Sequence, residues 1–445
     1  MSHPTVTSTS APNIVADTIC RTAELGLSID NAADAGEVTH LFCRPVATAV
    51  DITCPQCHHD GRVRDHVERT LTDLPIAGHP ALLHIRVPRL QCTNDDCEVT
   101  IYRAGLPTTA ARRSSVTRRV TRWILQRMAI DKLSVKACAR ALGLGWDTVN
   151  TLAVTACRAL AYGEASRIDH VRVLGVDEHK WKHVRGDGSA SFVTVIVDLT
   201  PQVDGVGPAR LLDMGPGRSA EVFGDWLAAR PEGFRDTVKV ATMDGYTGYA
   251  KAAGEYLHRA RTVMDPFHVV RLAADKPDAC RRRVQNATLG HRGCKGDPLY
   301  GIRRTMLTRI SFVTPKRAER LDEVLTADGH AAVQVTWKVY QDLIAAYQDE
   351  DRRAGKLRLY KLAKRLRQGV PNELKELRSL GRTLWKRLKD VLAYFDTSAS
   401  NGPVEAINGR LEHLRGIALG FRNKSHYILR SLIHSGGLHE RINAL

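Results

Sequence analysis

Asp177 stands in the run Val171-Arg-Val-Leu-Gly-Val-Asp-Glu-His-Lys180, whose Val and Leu content is that of a buried strand. A carboxylate there costs several kcal/mol unless a partner or a metal neutralises it. A second acid, Asp244, closes the strand-like Val238-Lys-Val-Ala-Thr-Met-Asp. Two adjacent carboxylates repel each other, and a divalent cation with hard oxygen ligands, Mg²⁺ first among them, relieves that repulsion. A paired-metal site needs a third acid, and Glu405 in Asp396-TSASNGPVEAINGRLEHLRG is the clearest candidate. Pro403 suits the first position of a helix, so Glu405, Asn408 and Glu412 fall near one face. An acid at a helix N-terminus is also favourable for its own sake, and spacing alone leaves both readings of Glu405 open.

Cysteines form the second chemical pattern. Cys54-Pro-Gln-Cys57 and Cys92-Thr-Asn-Asp-Asp-Cys97 are short-spaced pairs that flank a strand-like Ala81–Leu90. Strands that bring two such turns together make a zinc ribbon, with four thiolates around one Zn²⁺. Four protein ligands leave no open position, so the site is expected to be structural. His58 and His59 follow Cys57 and could replace a ligand, and unrelated buried thiols are the alternative.

These groups need elements to hold them. Around Asp177, Val171–Thr200 reads as a β-hairpin turning at Arg185–Ser189. Strands are expected at 172–182, 191–199, 209–213, 237–243 and 261–264, with helices at 219–229 and 249–257. That β-β-β-α-β-α-β order predicts a mixed sheet flanked by helices, as in ribonuclease-H-like folds, with the first and fourth strands adjacent. Asp177 and Asp244 then approach each other.

Upstream, residues 134–153 read as a helix-turn-helix: Ser134 caps the first helix, Ala139 is small at the crossing, Gly143 makes the turn and Val149 anchors the second helix. A plain three-helix bundle is the alternative. On the DNA reading, Trp146, Thr148, Asn150 and Thr151 reach bases or phosphates, and Arg118, Arg119 and Arg122 neutralise phosphates. Residues 351–390 hold fourteen Lys or Arg against four Asp or Glu, with an apolar stripe of Leu357, Leu359, Leu362, Leu366, Leu384 and Leu388. That excess of one sign favours contact with DNA, through Lys364 and Arg365 among others. The tail Gly416–Arg430, with Phe421 and Tyr427, suits either a DNA strand or a packed terminal helix.

The 445 residues carry a net charge of +17, which favours a polyanionic partner. No stretch approaches ~20 uninterrupted apolar residues, and the start lacks the features of a signal peptide. A cytoplasmic, nucleoid-associated protein without a membrane partner is expected, and its ten cysteines suggest metal before disulfides.

The zinc ribbon, the helix-turn-helix, VLGVDEHKWKHVRG, TVMDPFHVVRLA, SNGPVEAINGRLEHLRGIALGFRN and their order resemble the DDE transposases of bacterial insertion sequences, in the ISL-three group. The resemblance implies an α/β, multidomain chain. A ribonuclease-H-like mixed sheet with a helical insertion follows a zinc ribbon and a helix-turn-helix domain. The expected boundaries are a mobile arm at 1–45, the ribbon at 46–108, helix-turn-helix at 109–165, core at 166–285, basic helical insertion at 286–395 and Glu-bearing helices at 396–445. It assigns Asp177, Asp244 and Glu405 as catalytic acids holding two Mg²⁺ (or Mn²⁺), Asp177 bridging, and one structural Zn²⁺ to Cys54, Cys57, Cys92 and Cys97. Asp265 and His268 match a motif beside the site, and Asp265 is the second choice for the second acid. The implied activity is cleavage at terminal inverted repeats and joining of the 3′-hydroxyls to double-stranded target DNA, in a homodimer or larger complex. A nuclease that does not join and a DNA-binding regulator derived from a transposase are the rival readings.

Overall fold

The computed structural model describes residues 14–163, 165–183 and 191–445, which divide into two compact units, 1–167 with 413–445, and 168–412. In the first unit, α1 (Ile14–Cys20) leads into β1 (Leu27–Ala35), β2 (Val38–Pro45), β3 (Arg62–Ile76), β4 (His79–Gln91) and β5 (Ile101–Arg103). They form one sheet in the order β1-β2-β4-β3, with β5 also on β4. This corrects the expectation of a mobile arm at 1–45 for residues 27–45: β1 pairs antiparallel with β2, and β2 pairs parallel with β4. Backbone pairing holds a strand whose polar residues gave no strand signal. Residues 1–13 lie outside the described residues. Leu27, Leu41, Leu71, Leu83, Ile85 and Leu90 fill the core beneath this sheet.

Three helices follow, α2 (Arg118–Ala129), α3 (Val135–Leu142) and α4 (Trp146–Tyr162). The Ser134 hydroxyl accepts from the Ala137 N–H at the head of α3, and Gly143 takes φ 63° at its end, where a β-carbon would be strained. Val149 is fully buried.

The second unit is built on a five-stranded sheet ordered β10-β9-β6-β7-β8. Its members are β6 (Val173–Lys180), β7 (Phe192–Asp198), β8 (Arg210–Pro216), β9 (Val240–Met243) and β10 (Arg261–Met264). β6, β7 and β8 run antiparallel, while β9 lies parallel to β6 and β10 parallel to β9. The first and fourth strands are thus adjacent; the hairpin turn Arg185–Ser189 lies outside the described residues. One face packs beneath α6 (Ala220–Ala228) and α8 (Thr247–Tyr256); α5 (Thr200–Val203) and α7 (Glu232–Thr237) are short connectors. Leu174 and Val176 point into that core with Phe223, Leu227, Tyr249 and Ala253. Because strand side chains alternate, Gly175, Asp177 and His179 share the opposite face.

Helices then run from α9 (Pro266–Leu289) through α10 (Arg303–Leu307), α11 (Pro315–Thr326), α12 (Ala331–Tyr347), α13 (Arg352–Gln368), α14 (Lys375–Lys386) and α15 (Leu388–Thr397) to α16 (Gly402–Ile417). Leu359, Leu362, Leu366 and Leu384 pack with α9 and α12 residues, and Leu388 packs on that core half-buried. Leu357 is instead 51% exposed and leaves the expected stripe. In the first unit, α17 (Lys424–Ser435) and α18 (His439–Asn443) return, α17 against α4 and α2 and α18 against α2. The tail is therefore a packed helix, correcting the DNA-following alternative for Tyr427, which is fully buried. Arg430 is also buried and stands over the Phe421 ring. Among the described residues no helix is long and apolar enough to cross a membrane.

Candidate active site

Asp177 sits at the C-terminal part of β6 and is 4% exposed. Register pairs Val176 with Met243, so Asp177 and Asp244 come one step later on adjacent parallel strands. The first turn of α16 carries Glu405, and carboxylate oxygens of Asp177 and Glu405 lie within 4.8 Å of each other and of a His268 ring nitrogen. Burial, and then the Glu405 charge, push Asp177 from an ordinary 3.8 up to about 8; Asp244 adds to the shift. Its Oδ1 accepts from the Glu178 N–H at 2.8 Å, and its Oδ2 accepts from Asn408 Nδ2 at 3.1 Å. Asp244 is half-buried, with Oδ1 accepting from the Tyr246 N–H. It stands just outside the tight cluster.

His268 takes the third place there. Its Nε2 lies 3.8 Å from Glu405 Oε1, buried and without a hydrogen-bond partner among the described residues; Asn408 Oδ1 is in the same condition. Unpaired buried polar atoms beside crowded carboxylates suit a hard cation, because oxygen and imidazole donors converge there. Further along the same face, His179 and His183 each bring Nε2 to 3.9 Å from Glu412 Oε1. Glu405, Asn408 and Glu412 do share the α16 face turned to β6.

Asn401 holds this arrangement and was not singled out by the sequence reading. Fully buried, it donates from its backbone N–H to Asp265 Oδ1 (2.6 Å) and from Nδ2 to the Val176 carbonyl (3.1 Å), and accepts from the Thr242 hydroxyl (2.8 Å). One side chain thus ties α16 to β6 and β9. Asp265, which also caps α9 by accepting from the Phe267 N–H, is spent on this framework. Both of its carboxylate oxygens accept backbone N–H groups, from Asn401 and from Phe267. Gly175 allows the close approach of α16: a β-carbon there would lie 2.6 Å from a Val404 methyl and 3.0 Å from Leu199. Asn401→Ala strands the Thr242 hydroxyl and the Val176 carbonyl in the interior. At about 1–3 kcal/mol for each buried unpaired group, urea unfolding should show clear destabilisation, and an unchanged midpoint would contradict this role. A groove of about 440 Å³ lined by Asp265, Phe267, Tyr394, Ser400, Gly402 and Glu405 opens beside the acids.

The four cysteines also converge. Cys54 Sγ lies 3.8 Å from Cys97 Sγ and Cys57 Sγ 3.4 Å from Cys92 Sγ, with all four within 4.8 Å of one another. These are the edges of a tetrahedron around one zinc. The His59 N–H, foremost, holds the Cys57 thiol down to about 6, readying a thiolate. His58 and His59 stand outside this set.

The proposed DNA contacts divide. Trp146 is 49% exposed, and Thr151, Arg118 and Lys364 are exposed, with Thr148 and Arg122 half-buried. Arg118 donates to the Pro107 carbonyl, and Arg365 pairs with Asp342 at 3.6 Å. Two expectations are corrected. Asn150 is 5% exposed and faces His426 Nδ1 at 3.4 Å, because α17 covers that side of α4. Arg119 is consumed by a buried ion pair with Asp73 of β3 and by the Cys20 and Arg21 carbonyls.

Two family models match this chain. A family model described as transposase, for the ISL3 group of DDE proteins, matches residues 174–431. Another, described as the zinc-finger of transposase IS204/IS1001/IS1096/IS1165, matches residues 51–97. The chain is similar to the transposase for insertion sequence element IS1001 of Bordetella parapertussis, with 26% identity over 410 residues, 89% of this chain and 91% of that one. Among solved structures it is similar to the Drosophila P element transposase strand transfer complex, at 12% identity and TM-score 0.36, over 71% of this chain and 90% of that one.

Proposed function

The chain belongs to the ISL3 family of insertion-sequence transposases, and from that premise we propose that it cuts the ends of its element and joins their 3′-hydroxyls to target DNA at Asp177, Asp244 and Glu405. The observation that carries this reading is the meeting of Asp177 and Glu405, 228 positions apart in the chain, in one acidic cluster with Asp177 buried at its floor and Glu405 exposed. The strand order, with the Asp177 and Asp244 strands parallel and adjacent, supports a ribonuclease-H-like core.

Asp177, Asp244 and Glu405 would hold two Mg²⁺ or Mn²⁺, which supply Lewis acidity to the attacking and leaving oxygens of a phosphodiester. Everything else falls to the protein. Asn408 and the Glu178 N–H fix the Asp177 carboxylate, which would hold metal from this set position. His268 is positioned to orient Glu405 or to take a proton beside it. Asn401 keeps α16, and with it Glu405, in register with β6. Phe267 and Tyr394 line a groove that would admit the DNA end.

In the first unit, Cys54, Cys57, Cys92 and Cys97 would hold a structural Zn²⁺. The helices α3 and α4 would act as a helix-turn-helix reading the terminal inverted repeats, with Trp146, Thr148 and Thr151 at the DNA and Arg118 and Arg122 on phosphates, while Lys364 and Arg365 of α13 in the second unit would make separate DNA contacts. Pairing two ends would require at least a dimer. The reading is tested by incubating labelled terminal-repeat DNA and a target plasmid with the protein and Mg²⁺. Joined products are expected; cleavage without joining would favour the nuclease, and binding with neither would favour the regulator.

The crowded acids also make a stability prediction. Asp177 ionises near 3.8 when unfolded but only near 8 in the metal-free fold. Between those values the folded state binds the extra proton, so this group's contribution to stability falls as pH rises and levels off above about 8. Asp177→Asn should therefore melt a few degrees above the parent at pH 8 in EDTA, with the gap closing toward pH 4. Mg²⁺ should raise the melting temperature of the parent alone. A variant that melts lower at pH 8 would contradict the charge argument.

A further inference from the structure

The loop joining α9 to α10, Gly290–Ile302, contains a third group of side chains of metal-ligating type, which the proposed transposition chemistry leaves unused. His291, Cys294 and Asp297 recur at every third position, and their Nδ1, Sγ and carboxylate oxygen lie within 4.8 Å of one another. His291 Nδ1 stands 3.6 Å from Asp297 Oδ2 and 3.9 Å from Cys294 Sγ. Ligands held at about 2.0–2.3 Å from a tetrahedral zinc are separated by roughly 3.3–3.8 Å, and the ribbon sulfurs, at 3.4 and 3.8 Å, show that spacing in this same chain.

The loop is shaped for this convergence. Gly293 and Gly296 take φ 108° and 109°, which side chains other than glycine avoid, and they curl the chain between the three ligands. A β-carbon on Gly293 would lie 2.4 Å from the side chain of Gln285, so the loop is seated closely on α9. Leu299 and Ile302 anchor its far end in a core with Cys280 and Val284. A turn in which Asp297 accepts from the Cys294 N–H accounts for the aspartate. His291 Nδ1 accepts from the Gly293 N–H at 3.1 Å, a bond that zinc would replace, and neither bond accounts for the thiol brought to the same point.

We propose that His291, Cys294 and Asp297 bind a second Zn²⁺, with water completing the tetrahedron. Thiolate, imidazole and carboxylate together select zinc over Mg²⁺, whose preference is for oxygen alone. On binding, zinc releases a water, the Cys294 thiol gives its proton to solvent, and the Zn–S bond forms. The thiolate and the carboxylate then balance the ion's two charges, so the filled site is neutral next to Arg292 and Lys295. The zinc clips the start of the helical insertion, and its open position faces solvent, because His291 and Cys294 are both exposed.

The test is zinc content in the full-length protein after equilibration with ZnCl₂ and removal of free metal. The parent should carry one zinc per chain more than Cys294→Ser, and one more than His291→Ala. Both variants change exposed residues, and circular dichroism checks that they fold. Equal zinc content in parent and variants overturns the site. The result is independent of DNA joining and of the ribbon, since only the difference between proteins is read.

Discussion

Asp177→Ala and Glu405→Gln should each lower DNA joining by at least about 10³-fold, equivalent to about 4 kcal/mol of barrier, while leaving terminal-repeat binding intact. Burial and the charges of Glu405 and Asp244 all raise the Asp177 pKa, so its removal takes away the buried acid that both neighbours act on. Glu405→Gln preserves shape and the first turn of α16 but deletes one charge. The separation of effects matters as much as the size. The proposed DNA-reading helices belong to the first unit and the acids to the second, so binding should survive. Gel-shift and strand-transfer assays on the same protein preparation measure both. Loss of binding in parallel with joining would mean that these acids hold structure instead of chemistry. Asp244→Asn should fall in the same class as Asp177→Ala, whereas Asp265→Asn should also destabilise, because Asp265 holds the Asn401 backbone and caps α9.

The second large effect is expected from zinc in the ribbon. Structural zinc sites in small finger domains contribute an apparent ~10–16 kcal/mol near neutral pH, and the four sulfurs here share a core with Leu90 and Tyr102. Cys57→Ser combined with Cys92→Ser should lower zinc content by one per chain and abolish a distinct thermal transition. Binding to terminal repeats should fall with it. The second unit, with its own sheet and cores, should keep its melting transition and its Mg²⁺ response. Identical melting curves for parent and variant would contradict a structural role for the metal. Added Mg²⁺ should not rescue the loss, since oxygen-seeking cations do not satisfy four thiolates.

Parts of both units were legible because their signals are local. Val- and Ile-rich runs mark β6 and β7, caps and turn residues mark α3, and the β-β-β-α-β-α-β order itself places β6 beside β9. The misplaced residues are those whose fate depends on distant partners. Arg119 reads as a free cation until Asp73 of β3 arrives beside it. Asn150 reads as part of a recognition surface until α17, some 270 positions later in the chain, covers that side of α4. Residues 27–45 read as an arm because Leu27–Ala35 carries too few β-branched residues to announce a strand, and only pairing with β2 makes it one. Asn401 was visible in the Ser-Asn-Gly-Pro run but offers only helix-start chemistry there; its bonds to Val176 and Thr242 exist only in three dimensions.

If Asp177 and Glu405 act through a bound divalent cation, Asp177→Cys should show metal-dependent rescue. A thiolate is a poor ligand for Mg²⁺ but a tolerable one for the softer Mn²⁺. Strand transfer by Asp177→Cys should therefore be lost in Mg²⁺ and return in Mn²⁺, while the parent works in both and Asp177→Ala in neither. Equal loss in the two metals for Asp177→Cys, with the protein folded and still binding DNA, would contradict a metal-holding role for this carboxylate.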